Sequence, residues 1–268
     1  MNEQNTGKRR LTIRVVGNTL SFSMADTPDA AQPIIFESYA VNSGISMAAN
    51  LREAFRTQRP RFMVDSAQVL VGTKVLMVPV EQFLEDQAAT LYCHAFPKSG
   101  GSSVVYNVLP DLNAVAIFCI NKDLRLVIND NFSNVKTMHL MTPVWRHLHH
   151  RSYTGHYNKL YAYFHDKQLD VFAFQQNRFK FCNSFDTNRT QDALYFLLYV
   201  WKQLAMQPES DELHIAGDVP DREALQEGLR KYLQKAYFIN PQAEFNQAPA
   251  TQVKGMPFDL MTLYTKGR

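Results

Sequence analysis

One order of elements occurs twice along this chain, and that repeat constrains its fold more than any single residue does. In the first half, apolar residues alternate on either side of Gly17-Asn18, in the runs LTIRVV and TLSFSM. Residues 11–24 therefore read as a strand, a tight turn and a returning strand. A third extended run, residues 33–41, follows a turn at Asp26-Thr27-Pro28-Asp29. Residues 46–56 place Met47, Leu51, Ala54 and Phe55 on one helical face. Residues 68–71 are a short apolar strand stopped by Gly72-Thr73, and residues 80–86 read as the start of a further helix.

The order returns in the second half. Residues 160–164 and 169–175 are strands joined through His165-Asp166-Lys167-Gln168, and Asn177 leads into a third strand over 178–185. Residues 186–190 supply helix caps, and 191–206 form a helix with Leu194, Leu197, Leu198, Trp201 and Leu204 on one side. A strand over 212–215 ends at Ala216-Gly217, and Pro220 opens a helix over 221–235. Between the halves, residues 89–96 and 104–109 read as strands around the Lys98-Ser99-Gly100-Gly101 turn. A strand (114–120), a helix (121–130) and a strand (135–140) follow, and Thr142-Pro143 opens a helix over 144–151. Residues 151–158 are the linker, and the tail from Pro241 is loop except for a helix over 257–264. Matching order implies duplication. The expected fold is α/β, with lobes at 1–155 and 156–268, each a mixed sheet with flanking helices.

Composition narrows the class. At 268 residues, 46% hydrophobic and 20% charged, the chain has enough apolar surface for a full core without staples. Cys93, Cys119 and Cys182 are odd in number and widely spaced, so they form neither a disulfide framework nor a C-x-x-C motif, which points to a reducing cytosol. The longest apolar stretch, residues 193–201, is about half of the roughly 20 residues a membrane helix needs. A net charge of +3 does not by itself imply nucleic acid or membrane.

Charge and histidine are nonetheless uneven. Residues 131–165 contain no Asp or Glu, yet His139, His147, His149, His150, His156 and His165 all fall there, with Lys136, Arg146, Arg151 and Lys159. A helical metal site wants two histidines at i and i+4 on one face, which His147, His149 and His150 do not provide. No metal ligand is assigned. With Trp145, Tyr153 and Tyr157 interleaved, the stretch would also suit an anionic partner such as RNA. The simpler reading is a polar helix and linker. Lys98-Ser99-Gly100-Gly101-Ser102-Ser103 lacks the G-x-x-x-x-G-K-[ST] order of a phosphate loop and reads as a hairpin tip. Cys93-His94, as strand neighbours, point to opposite faces and cannot pair. The alternating series Tyr161, Tyr163, Phe172, Phe174, Phe179, Phe181 and Phe185 reads as core. No catalytic residue emerges.

The double meander, each followed by helix, short strand, glycine and helix, resembles the duplicated actin-like ATPase fold of the sugar kinase/actin superfamily. It is most similar to pilus-assembly and secretion-platform actin-like domains of bacteria, and to a bacterial family of unknown function with that fold. The segment Glu212-Leu213-His214-Ile215-Ala216-Gly217-Asp218-Val219-Pro220 looks like the adenosine-side strand and glycine turn of such proteins. Active members hold phosphate and magnesium with an Asp-x-Gly turn in the first hairpin of each half. Here the first hairpin reads Val15-Val16-Gly17-Asn18-Thr19, with valine where aspartate belongs, and the second has no glycine. Without a metal-holding carboxylate, phosphoryl transfer loses its main electrostatic support. The resemblance thus implies a pseudo-ATPase: a bacterial, cytoplasmic, non-catalytic scaffold or regulator that binds another protein. The alternatives are a nucleotide-binding sensor without efficient hydrolysis, and an RNA-associated protein using residues 131–165. No cofactor is expected, with ATP the one ligand left open; Gly17, Thr19, Gly217 and Asp218 would be its surviving contacts.

Overall fold

The computed structural model of the chain describes residues 9–25, 33–58, 64–97, 101–175, 178–187 and 189–265. The turn expected at Asp26-Thr27-Pro28-Asp29, the tip Lys98-Ser99-Gly100 and Asn177 lie outside these residues. The chain opens with β1 (Leu11–Val16), β2 (Thr19–Ala25), β3 (Ile34–Tyr39), α1 (Met47–Gln58), β4 (Ser66–Gly72) and β5 (Leu76–Pro79). It continues through α2 (Ala88–Ala95), β6 (Ser102–Leu109), β7 (Ala114–Asn121), α3 (Lys122–Asn131), β8 (Asn134–His139) and α4 (Thr142–Ser152). Next come β9 (Lys159–His165), β10 (Gln168–Gln175), β11 (Arg178–Asp186), α5 (Thr190–Gln203), β12 (Glu212–Gly217) and α6 (Arg222–Arg230). The last elements are β13 (Ala236–Phe238), α7 (Pro241–Glu244), α8 (Pro249–Gln252) and α9 (Phe258–Tyr264).

The described residues gather into two compact units. One comprises Met1–Lys74, Asp86–Asn107 and Ile117–Leu140, the other Val75–Glu85, Val108–Ala116 and Met141–Arg268. The first unit carries a sheet in the order β3-β2-β1-β4-β8. Strands β1 and β2 are antiparallel across the two-residue turn, with Val16 opposite Thr19, and β4 joins β1 in parallel, with Gly72 beside Val16. Helices α1 and α3 pack together. Phe55 of α1 lies 6.1 Å from Phe22 of β2 and 5.5 Å from Phe132 beyond α3, so one aromatic cluster joins sheet and helices. The start of α1 is fixed by Asn50, fully buried: its side-chain amide donates to the carbonyls of Asn42 and Ser46, and its oxygen accepts from the Asn42 backbone N–H.

The second unit repeats the topology strand for strand, β11-β10-β9-β12-β13. Strands β9 and β10 are antiparallel with His165 opposite Gln168, and β12 runs parallel to β9. Every residue of β9 is buried because its two faces serve different cores. Leu160, Ala162 and Phe164 pack with Leu197, Val200 and Trp201 of α5 and with Leu225 and Leu229 of α6. Tyr161 and Tyr163, on the other face, pack with Trp145 and Leu148 of α4 and with Phe245 and Phe258 of the tail. Tyr161, Tyr163 and Phe172 are core, as their alternation predicts. A third sheet has the order β5-β7-β6.

Several sequence expectations need correction. The strand expected over residues 89–96 is instead helix α2 (Ala88–Ala95), with Ala88 and Tyr92, four apart, as its buried positions. A short apolar run fits either period, and the turn-to-turn spacing decides here. The helix expected from residue 80 is a pair of short 3-10 turns, Val80–Gln82 and Glu85–Gln87. Helix α6 is opened by Asp221, whose carboxylate accepts from the Ala224 N–H at 3.0 Å, rather than by Pro220, and it stops at Arg230. The tail holds α7 and α8 where loop was expected, each with proline at its first turn.

Candidate functional site

The four residues implied by the resemblance lie in two places, Gly17 and Thr19 in the first unit, Gly217 and Asp218 in the second. Gly17 takes φ 52° at the first central position of the β1–β2 turn, the left-handed conformation that such hairpins favour. An added Cβ would meet nothing within 4 Å, so the backbone conformation alone selects glycine. The Thr19 hydroxyl donates to the Val16 carbonyl at 2.9 Å and accepts from Arg14 at 3.4 Å, closing the turn on itself.

Gly217 ends β12 with φ 88°, and a Cβ there would run into the Phe164 carbonyl and the Tyr163 ring. The Asp218 backbone N–H donates to the same Phe164 carbonyl at 2.9 Å. The glycine turn is thus seated on the end of β9, and its residue type is demanded by close approach as well as by φ.

At that end of β9, the hairpin to β10 turns through Asp166 (φ 45°) and Lys167 (φ 63°), two non-glycine residues in the left-handed region. Aspartate tolerates this better than most residues because its side chain bonds locally. Its carboxylate lies 3.2 Å from Nδ1 of His165, whose Nε2 is 2.5 Å from Asp170 of β10. Asp170 also accepts from the Ser184 hydroxyl of β11. This group escaped the sequence reading, which saw His165 only as one of a histidine-rich run. The signal available was the period: His165 follows Tyr161 and Tyr163 on one face, and Asp170 precedes Phe172 on the same one.

Three other histidines of the run make internal bonds, while His150 and His156 are exposed. His139 meets the Thr73 carbonyl at 2.8 Å, and His149 meets the Tyr153 hydroxyl at 3.1 Å. His147 of α4 lies 2.8 Å from Glu244 of α7, and Arg151 donates to the other oxygen of the same carboxylate. Burial works to raise the Glu244 pKa, but the hydrogen bond from His147 and the Arg151 charge outweigh it and hold the carboxyl below its ordinary range. Lys159, also buried, donates to the carbonyls of Arg151 and Thr154. Cys93 and His94 are adjacent on α2, exposed, beside a shallow depression shared with Ala89 and Thr90. Among the described residues, no three His, Cys, Asp or Glu side chains are grouped to hold a metal ion.

Comparison with known proteins follows the topology. A family model described as "Protein of unknown function (DUF3822)" matches residues 1–236. The chain belongs to the DUF3822 family. No curated protein matches this DUF3822 member. Among solved structures, it is similar to a Bacteroides thetaiotaomicron protein with actin-like ATPase fold and unknown function. The two are 27% identical with a TM-score of 0.79, over 95% of this chain and 99% of that one. A type IV pilus biogenesis complex, PilM-PilN, matches with a TM-score of 0.56 at 10% identity, over 97% of this chain and 99% of that one. The DUF3822 chain therefore has the actin-like ATPase fold, in two sheet-bearing units. Glu244 and Asp259, which tie the tail to α4 and β9, lie beyond the stretch that the DUF3822 model matches. Among the described residues, no helix is long and apolar enough to cross a membrane.

Proposed function

We propose that this DUF3822 member is a bacterial, cytoplasmic, non-catalytic actin-like protein that acts by binding another protein, as a scaffold or regulator. One observation carries the reading: neither hairpin offers a carboxylate for a metal and phosphate. The first has none between Val15 and Thr19, and its Thr19 hydroxyl closes its own turn. In the second, the Asp166 carboxylate lies on His165. Magnesium and oriented donors supply nearly all the catalysis in phosphoryl transfer, so their loss removes the reaction while leaving the scaffold. The PilM-PilN complex, named for two proteins, supports a protein as the partner class.

The basic run from residue 131 to 165 favours RNA less, because two of its four Lys and Arg side chains are committed to internal partners. Arg151 is committed to Glu244 and Lys159 to backbone carbonyls. Nucleotide binding without hydrolysis keeps the Gly217-Asp218 turn in its favour. A thermal-shift titration with ATP and ADP, with and without magnesium, separates the readings. A ligand at 100 times its Kd adds about 2.7 kcal/mol. The scaffold reading expects no rise at millimolar nucleotide and a stoichiometric protein partner after cross-linking. A magnesium-dependent rise with phosphate release would overturn it, and a rise without hydrolysis would make the protein a sensor.

A further inference from the structure

His165 has a carboxylate at each ring nitrogen, Asp170 2.5 Å from Nε2 and Asp166 3.2 Å from Nδ1. A neutral imidazole has one N–H and one lone pair, and a lone pair facing a carboxylate oxygen is repelled. Two such contacts require two N–H donors, which only the imidazolium has. Groups from several elements bear on the ring or on its carboxylate partners. Asp166 belongs to the turn, Asp170 to β10, Ser184 and Cys182 to β11, Asp259 to α9, and Tyr163 to β9 itself. Ser184 and Tyr163 donate to Asp170 and Asp259 respectively, and the Tyr163 ring stacks on the imidazole at 4.9 Å. Burial near Asp170 pushes the Cys182 thiol pKa up, so that side chain adds no charge. Two carboxylates thus contact the ring, and the charge of a third, Asp259, bears on it from α9.

We propose that His165 is the resident cation of this hairpin, an imidazolium that fills the place between Asp166 and Asp170. The ring is buried at 4% exposure, so water and mobile ions do not screen it. Burial opposes its charge, but the bonds to Asp166 and Asp170 prevail and raise its pKa to about 9. Across neutral pH the hairpin carries a positive charge of its own between these two carboxylates. Whether or not a protein partner exists, this holds for the hairpin by itself.

The test uses the full chain with ¹⁵N-labelled histidine, read by NMR, and Mn²⁺ as the probe ion. Between about pH 6 and 8, where free histidine in the same tube loses its ring proton, both ring nitrogens of His165 should stay protonated. Mn²⁺ at neutral pH should leave the amide signals of Asp166 and Lys167 unbroadened, and His165→Gln should make those signals broaden. A singly protonated His165 at neutral pH overturns the proposal, as does Mn²⁺ broadening in the unaltered chain. Should His165→Gln fail to fold, the two measurements on the unaltered chain still decide.

Discussion

The Tyr163 hydroxyl donates to the Asp259 carboxylate at 2.7 Å, and the Asp259 backbone N–H donates back to that hydroxyl at 3.2 Å. Strand β9 is thereby tied to the first turn of α9, with both side chains buried. Tyr163→Phe keeps the ring and removes the donor, leaving a buried carboxylate short of one bond. The expected loss is about 1–3 kcal/mol of unfolding free energy, measured by urea denaturation. A change below the error of the titration would mean that Asp259 is satisfied without Tyr163.

The two glycines of the candidate site should separate cleanly. Gly17→Ala has open space around the new methyl and pays only for its left-handed backbone, about 1–2 kcal/mol. Gly217→Ala carries a comparable strain and also drives a methyl into the Phe164 carbonyl, so it should cost clearly more and shift β9 and β12. Paired thermal melts check the ranking; equal losses would count against close approach as the reason for Gly217.

Stability should depend on pH at both ends of the range. The folded His165 pKa of about 9 lies above its ordinary 6.5. Its contribution is therefore whole below 6.5 and is lost as pH rises through about 9. Glu244 is held below its ordinary 4.5, so its contribution is whole above 4.5 and is lost as pH falls through the folded value. The gap in stability between the unaltered chain and His165→Gln should shrink from neutral to alkaline pH, and the gap to Glu244→Gln should shrink on acidification. Gaps that stay constant across these windows would deny both assignments.

Asn50→Ala tests the first unit. It removes the side chain that accepts from the Asn42 N–H and donates to the Asn42 and Ser46 carbonyls, and each lost bond costs about 0.5–1.5 kcal/mol. Hydrogen exchange should show the loss first at the start of α1. Protection unchanged there would mean that the cap Ser46, accepting from the Ala49 N–H, holds the helix alone.

The hairpins and the duplicated order were legible because alternation and turn chemistry are local. Gly17-Asn18 between LTIRVV and TLSFSM can be read within a dozen residues. Helix α2 was not, since Ala88-Ala89-Thr90-Leu91-Tyr92-Cys93-His94-Ala95 has too little polar contrast to show a period. The ties that complete the second unit were out of reach for another reason. Tyr163 and Asp259 are 96 positions apart, and His147 and Glu244 are 97 apart, so nothing near either partner announces the other. His165 and Asp170 were within reach, and became visible only once both were assigned to the same sheet face.

Strand β9 has no solvent side. Its even-numbered residues belong to the layer under α5 and α6, and its odd-numbered ones to the layer under α4 and the tail. Neither layer can melt while the other stays intact, because pulling the strand out of one removes the wall of the other. The second unit is thereby bound to unfold as one cooperative body, and the β9 amides should be the last in it to exchange with solvent.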